Sequence, residues 1–276
     1  MIKRILVPTD GSEAANCGVR FALSLAKQFD ACLQGLHVVD VKLLEGPFLR
    51  DLSASLGTAP YVNYQGNIAM ILEERGNAAL EVFRKACDEA GIRCDTSQVN
   101  GVVHREIAEH GELADLIVLG RSGEHSPWLE GLLGSTTEAV VRRARGPVLV
   151  TGNDAFTCEQ ILVAYDGGDF SRHALRIGAE WAAHLHARIH VLSMGNDSAR
   201  QRLDEAQEYL QAHDVEVTLE HREGDASEGI VAYAAECGAG LLVMGAYGHG
   251  KVREFVLGSR TSYALNHAPC PVLLVR

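Results

Sequence analysis

The chain has 276 residues and carries 25 Lys+Arg against 36 Asp+Glu, a formal net charge of −11 at pH 7. Its length accommodates two domains, each with its own core, and a 47% hydrophobic content is ordinary for a globular protein. The negative charge argues against nucleic acid and anionic membrane as partners, yet leaves room for a local amide-lined pocket that takes one small anion.

Seven cysteines, odd in number and scattered, contain no C-x-x-C, so reduced and mostly buried thiols are expected. Met1-Ile2-Lys3-Arg4 runs straight into an apolar segment without the h-region of a signal peptide. No apolar stretch approaches the length of a membrane span. A soluble, cytoplasmic protein is the expectation.

Short apolar runs alternate with amphipathic ones, which predicts βαβ units and a parallel sheet. Ile5–Val7 reads as a strand. A helix follows from about Ser12 to Phe29, with Val19, Ala22, Leu23 and Ala26 on one face. Leu36–Val39 is the second predicted strand. The recurrence of Ala79, Val82, Phe83, Ala86 and Ala90 predicts a long helix around Asn77–Ala90. Between them, residues 41–75 contain Gly46-Pro47, Gly57, Pro60 and Gly66, a composition that suits a lid, a partner surface or a disordered segment. Strands near Ile92–Val99, Leu116–Leu119 and Val148–Val150 follow, with helices between, and Gly152–Glu159 reads as a linker. The second half predicts strands at Ile161–Val163, Ile189–Leu192, Val215–Leu219, Leu241–Met244 and Val272–Val275. Its helices are expected near Ser171–Leu185, Ala199–Ala212, Ser227–Cys237 and Ser259–Asn266.

The order repeats because the sequence repeats. Arg4-Ile5-Leu6-Val7-Pro8-Thr9-Asp10-Gly11 returns as Gln160-Ile161-Leu162-Val163-Ala164-Tyr165-Asp166-Gly167. Gly120-Arg121-Ser122-Gly123 with Gly134-Ser135 returns as Gly245-Ala246-Tyr247-Gly248 with Gly258-Ser259, and Pro147-Val148-Leu149-Val150 as Pro271-Val272-Leu273-Leu274. The unit is domain-sized, so two tandem domains are expected, at 1–152 and 160–276. Matching His37 to His190 and Gly101 to Gly224 assigns about thirty extra residues to the first domain.

The spacing Gly245-x2-Gly248-x9-Gly258-Ser259 begins where a strand ends. Glycines there let backbone N–H groups approach a ligand closely, and Gly258-Ser259 opens a helix whose free amides and dipole suit a phosphate. Asp166 ends the first strand of its half, beside the crevice where open α/β sheets bind ligands. Tight strand-to-helix turns explain one such pattern equally well; its recurrence in both halves favours ligand binding. In the first half ten residues separate Gly123 from Gly134 instead of nine, an insertion that either bulges outward or moves the phosphate cradle.

At these residues the chain resembles the universal stress protein family in its tandem form. The resemblance implies two doubly wound α/β domains of the adenine nucleotide alpha-hydrolase-like kind, each a five-stranded parallel sheet flanked by helices. It implies ATP, or AMP or ADP, in each competent domain, with Mg2+ as an optional companion. By the same resemblance Asp166 and Val191 would lie at the adenine and ribose end. Met244, Gly245 and Gly248 would line the ribose–phosphate turn, and Gly258, Ser259 and Arg260 would hold phosphates. The first-domain equivalents are Asp10, Val38, Leu119, Gly120, Gly123, Gly134, Ser135 and Thr136. The resemblance also implies association through the last strand, satisfied internally as a pseudo-dimer through Val148–Val150 and Val272–Val275, or further by homodimerisation.

Other signals point elsewhere or nowhere. No G-x-x-x-x-G-K-[ST] and no G-x-G-x-x-G after a strand occurs. Asp166-Gly167-Gly168-Asp169-Phe170-Ser171 has the outline of the pyrophosphate loop of adenylating enzymes, but begins with Asp where that loop has Ser. Twelve histidines show no convincing metal-ligand spacing. His125 and His249 either bond a phosphate or face solvent, and Trp128 with Leu129 either cap a nucleotide or pack on the neighbouring domain. Arg142-Arg143-Ala144-Arg145 reads as cations complementing a helix C-terminus. The leading expectation is an adenine-nucleotide-binding stress-response regulator that acts on an unidentified protein partner, with no catalytic residue assigned. A slow ATPase or adenylating enzyme, and a nucleotide-free interaction module, are the alternatives.

Overall fold

The computed structural model describes residues 2–42, 61–121, 133–151, 158–246 and 257–276. The first half runs β1 (Arg4–Pro8), α1 (Glu13–Phe29), β2 (Cys32–Asp40), α2 (Tyr61–Ala90), β3 (Cys94–Gly101), α3 (Val103–His110), β4 (Leu116–Leu119), α4 (Ser135–Arg143) and β5 (Val148–Val150). The second runs β6 (Gln160–Ala164), α5 (Asp169–Leu185), β7 (Arg188–Met194), α6 (Asp197–Leu210), β8 (Val217–Arg222), α7 (Ala226–Glu236), β9 (Leu241–Gly245), α8 (Ser259–His267) and β10 (Val272–Val275).

Ile5, Leu6 and Val7 are all fully buried, as are Ile161, Leu162 and Val163. Such unbroken apolar runs belong to strands covered on both faces, which parallel strands require. Ser12 caps α1 by accepting from Ala15 N at 3.2 Å. The helix stops where Asp30 turns left-handed, at φ 49°, and α5 stops the same way at His186, φ 54°.

Within each half the strands are parallel in the order 3-2-1-4-5. The two halves fuse into one ten-stranded sheet, β3-β2-β1-β4-β5-β10-β9-β6-β7-β8. The seam is antiparallel, with Val148 opposite Leu274, Leu149 opposite Leu273 and Val150 opposite Val272. The pseudo-dimer expected from the last strands is therefore present, and it hides two edges that would otherwise template aggregation.

Separate cores for the two halves do not form. One apolar layer spans both halves on the face of α1, α2, α5 and α6, and a second on the face of α3, α4, α7 and α8. Across the first layer Phe29 meets Trp181 at 5.1 Å between ring centroids, and His184 Nε2 lies 2.9 Å from Gln28 O. Leu149 sits fully buried in the seam. Its replacement by Ala is expected to cost about 3 kcal/mol in a single cooperative urea transition; separate transitions for the two halves would contradict the shared layers.

Two elements depart from the pattern read in the sequence. α2 begins at Tyr61, so residues 61–75 continue the helix expected only from Asn77, while residues 43–60 lie outside the described residues. Gly76 is tolerated inside this helix because a Cβ there would lie 2.4 Å from His37 Cδ2 and 2.3 Å from Gln98 Oε1. β2 begins at Cys32, earlier than Leu36, because Gly35 is a packing surface: its absent Cβ is replaced by the Phe83 ring, 2.7 Å from where that atom would be.

Candidate functional site

The first strand of each half ends in the same turn. Asp10 Oδ1 accepts from Ser12 N at 2.9 Å, and Asp166 Oδ1 from Gly168 N at 3.0 Å. Gly11 (φ 78°) and Gly167 (φ 76°) take the left-handed conformation that these turns need. Each Asp therefore has its carboxylate engaged with its own turn at the carboxyl rim of the sheet.

In the second half, this turn borders a cleft of about 270 Å³. The cleft lies over the carboxyl ends of β6, β7 and β9, the general ligand position of open α/β sheets. Asp166, Met244, Gly245 and Arg260 from the sequence reading line it together. Ser259 and Gly258 stand at the adjoining start of α8, where Gly258 is the N-cap and no side chain caps the helix. Among the described residues the first-turn amides of α8 thus remain available to an anion. Thr261 Oγ1 anchors that turn to Ala246 O at 3.2 Å. Gly123 and Gly248 lie outside the described residues, as do His125, His249, Trp128 and Leu129.

Val191 does not line the cleft. It is fully buried in the core, while Leu192 and Met194 line the cavity. Strand register explains the difference. Val7 pairs with Gly35, and its repeat Val163 pairs with Val191. Gly35 and Val191 are therefore equivalent, and Val38 corresponds to Met194. The shared His-Val dipeptide had suggested a match between Val38 and Val191, three positions out of register.

Other cleft residues were not singled out as site residues in the sequence. Tyr165, Ser171, Ala226, Ile230 and, above all, Arg202 line the same cavity. Arg202 reaches over the turn from α6 and donates from Nη1 to Asp166 O at 3.1 Å. A Cβ on Gly167 would meet its Cδ at 3.0 Å. Arg260 faces the rim from α8 and contributes to holding the Asp225 carboxyl below its ordinary range, after the Glu228 and Ser227 amides that Asp225 caps. The cleft therefore presents cations from two walls. Burial pushes the Tyr165 phenol up from its ordinary value.

The first half is built alike but charged differently. Gly134 is the N-cap of α4, again without a side-chain cap, and Ser135 and Thr136 open the helix. Thr137 Oγ1 donates to Gly120 O at 2.9 Å, one residue earlier than the equivalent tie from Thr261, in keeping with the longer loop. Leu119 is buried and Val38 packs against the second apolar layer. Where Arg202 approaches Gly167, Ala79 approaches Gly11, 3.3 Å from the position of its absent Cβ. Thr136 stands where the second half has Arg260. The first-half rim has neither arginine.

Among the described residues no group of three or more His, Cys, Asp or Glu is placed to hold a metal, and no helix is long and apolar enough to cross a membrane. All seven cysteines are free thiols. Only Cys87 and Cys270 are buried, so "mostly buried" does not hold, and the other five are half-buried. Burial pushes the Cys87, Cys158 and Cys270 thiols up to about 12.

The fold and sequence resemble those of known proteins. A universal stress protein from Synechocystis sp. is 27% identical over 287 residues, covering 100% of each chain. One from Methanocaldococcus jannaschii is 37% identical over 153 residues, 54% of this chain and 82% of that protein. The crystal structure of a universal stress protein from Archaeoglobus fulgidus has a TM-score of 0.79 at 22% identity, covering 99% of this chain and 98% of that one, a likeness of fold. The profile of the universal stress protein family matches residues 1–152 and 193–276, and the chain belongs to that family.

Proposed function

We propose that the second-half cleft binds an adenine nucleotide, with the base end near Asp166, Leu192 and Met194 and the phosphates at the start of α8. The observation that carries this reading is the convergence of uncapped α8 amides, Arg260 and Arg202 on one cavity at the carboxyl rim. Helix-terminal amides and guanidinium groups are the two commonest phosphate partners, and here they share one site. Residues 1–152 and 160–276 act as two domains in this reading, with Asp10, Val38, Leu119, Gly120, Gly123, Gly134, Ser135 and Thr136 forming the weaker site of the first. ATP, ADP or AMP is the ligand class, and Mg2+ enters with the phosphates. Binding favours the filled conformation and thereby changes affinity for a protein partner in the cytoplasm during stress.

Gly258 offers a clean test. Among the described residues, a Cβ there would meet only Thr261 Oγ1, at an unstrained 3.7 Å. Gly258→Glu therefore leaves the fold intact and places a carboxylate where the phosphates belong. Calorimetry with ATP is expected to show the tighter site lost in Gly258→Glu and kept in Gly134→Glu. Equal affinity in Gly258→Glu and the unaltered protein would refute the assignment.

A further inference from the structure

The first-half rim loop is fastened at both its flanks by the second half. Because β5 and β10 are antiparallel, the carboxyl rim of one half borders the amino-terminal end of the other across the seam. Arg121 and Leu133 flank the first-half loop, and Gly134 N closes it onto Arg121 O at 2.9 Å. Both flanks bond to the second half. Arg121 Nη2 donates to Ala268 O at 3.1 Å, and Leu133 N donates to Asn266 Oδ1 at 2.9 Å. Asn266 is oriented for this by its own Nδ2, which donates to Ser262 O at 2.7 Å.

Asn266 and Ala268 end α8, and the other end of α8 is the wall of the second-half cleft. The nine-residue helix spans about 13 Å at ~1.5 Å per residue, short enough to behave as a rod. The return connection exists as well. Arg276, after β10, donates from Nη2 to Val141 O at 3.3 Å and to Arg142 O, at the C-terminal end of α4. The start of α4 is the first-half rim.

We propose that α8 carries occupancy of the second-half cleft to both flanks of the first-half loop, so that the two halves bind ligand in a coupled way. This rests on the nucleotide reading of the cleft. An anion held by the first-turn amides and Arg260 fixes one end of the rod. The other end then holds Asn266 and Ala268 in a single position, and through them Arg121, Leu133 and the start of α4 are set before the first half meets a ligand of its own. The coupling is reciprocal by linkage.

Hydrogen exchange of residues 133–143, followed by mass spectrometry without ATP and with ATP at a concentration that calorimetry shows to fill only the tighter second-half site, tests this in the full chain. In the unaltered protein ATP is expected to slow exchange there about 5-fold or more. Gly258→Glu and Asn266→Ala are expected to abolish the slowing, while Asn266→Asp, which keeps the acceptor for Leu133 N, retains it. Slowing of undiminished size in Gly258→Glu or Asn266→Ala overturns the coupling, since the first half would then be answering its own ligand. Binding heat with unchanged exchange overturns it too. No binding heat at all overturns the nucleotide reading, and the coupling with it.

Discussion

Replacement of Gly120 by Ala is expected to destabilise the protein by about 3 kcal/mol, more than any other single methyl group added along the rim. A Cβ at Gly120 would lie 2.3 Å from Ala14 O and 2.8 Å from Ala14 C. Both are main-chain atoms at the start of α1, so no rotamer change relieves the overlap, and overpacking of this kind costs about 1–3 kcal/mol or more. At the equivalent Gly245 the nearest atoms are Phe170 Cβ at 2.8 Å, Phe170 C at 3.1 Å and Ser171 N at 3.2 Å. Gly245→Ala is expected to cost somewhat less, on the order of 1–2 kcal/mol. Gly258→Ala, with its open surroundings, is expected to change stability by under about 0.5 kcal/mol. Urea midpoints of the three variants should fall in that order. Equal midpoints for Gly120→Ala and Gly258→Ala would mean that α1 does not pack as closely on β4 as described.

That ranking shows that glycines sharing one motif do different work. Gly120 and Gly245 let the first helix of each half lie against the end of a strand, whereas Gly134 and Gly258 leave helix termini uncapped by side chains. The spacing alone marked all four as ligand-facing, because adjacency to α1 or α5 is a tertiary fact.

The strands themselves were legible for a local reason, whereas the seam was expected only from the family resemblance and the strand order came from the structure. Ile5-Leu6-Val7 and Ile161-Leu162-Val163 are continuous apolar runs, each followed by an Asp-Gly turn, and the closing strands repeat almost letter for letter. β2 was harder because its core contact is supplied from elsewhere. Gly35 looks like a break in an apolar strand until Phe83, 48 positions later, covers it. The same distance effect hid the register of Val38, and with it the equivalence to Met194. Gly66 likewise looked like a loop residue, although it lies within α2, and it is Gly76 that allows this helix to approach His37 and Gln98. Arg202 was invisible for the strongest form of this reason. It lies in an ordinary polar helix, and only the seating of α6 on β7 and β8 brings it over Asp166.

Arg202 also supplies the sharpest contrast between the halves, since Ala79 occupies its place in the first and Thr136 that of Arg260. If the cleft holds phosphates, Arg202→Ala combined with Arg260→Ala is expected to weaken ATP binding by about 100-fold at the second-half site. Each charge-assisted hydrogen bond contributes about 1.5–3 kcal/mol, and ~1.4 kcal/mol is a factor of ten. The loss should arise largely from the phosphates, so adenosine, which lacks them, is expected to bind the Arg260→Ala variant as it binds the unaltered protein. Affinity for ATP should fall with added salt in the unaltered protein and do so less steeply in the double variant, because screening acts on the charges that remain. Removal of Arg260 should change stability little, because that side chain is exposed, while the Arg202 change also removes its bond to Asp166 O. The first-half site, which has neither arginine, should keep its affinity. A loss smaller than about threefold in the double variant, with no change in the salt dependence, would remove the arginines from the ligand and leave the α8 amides to hold the phosphates by themselves.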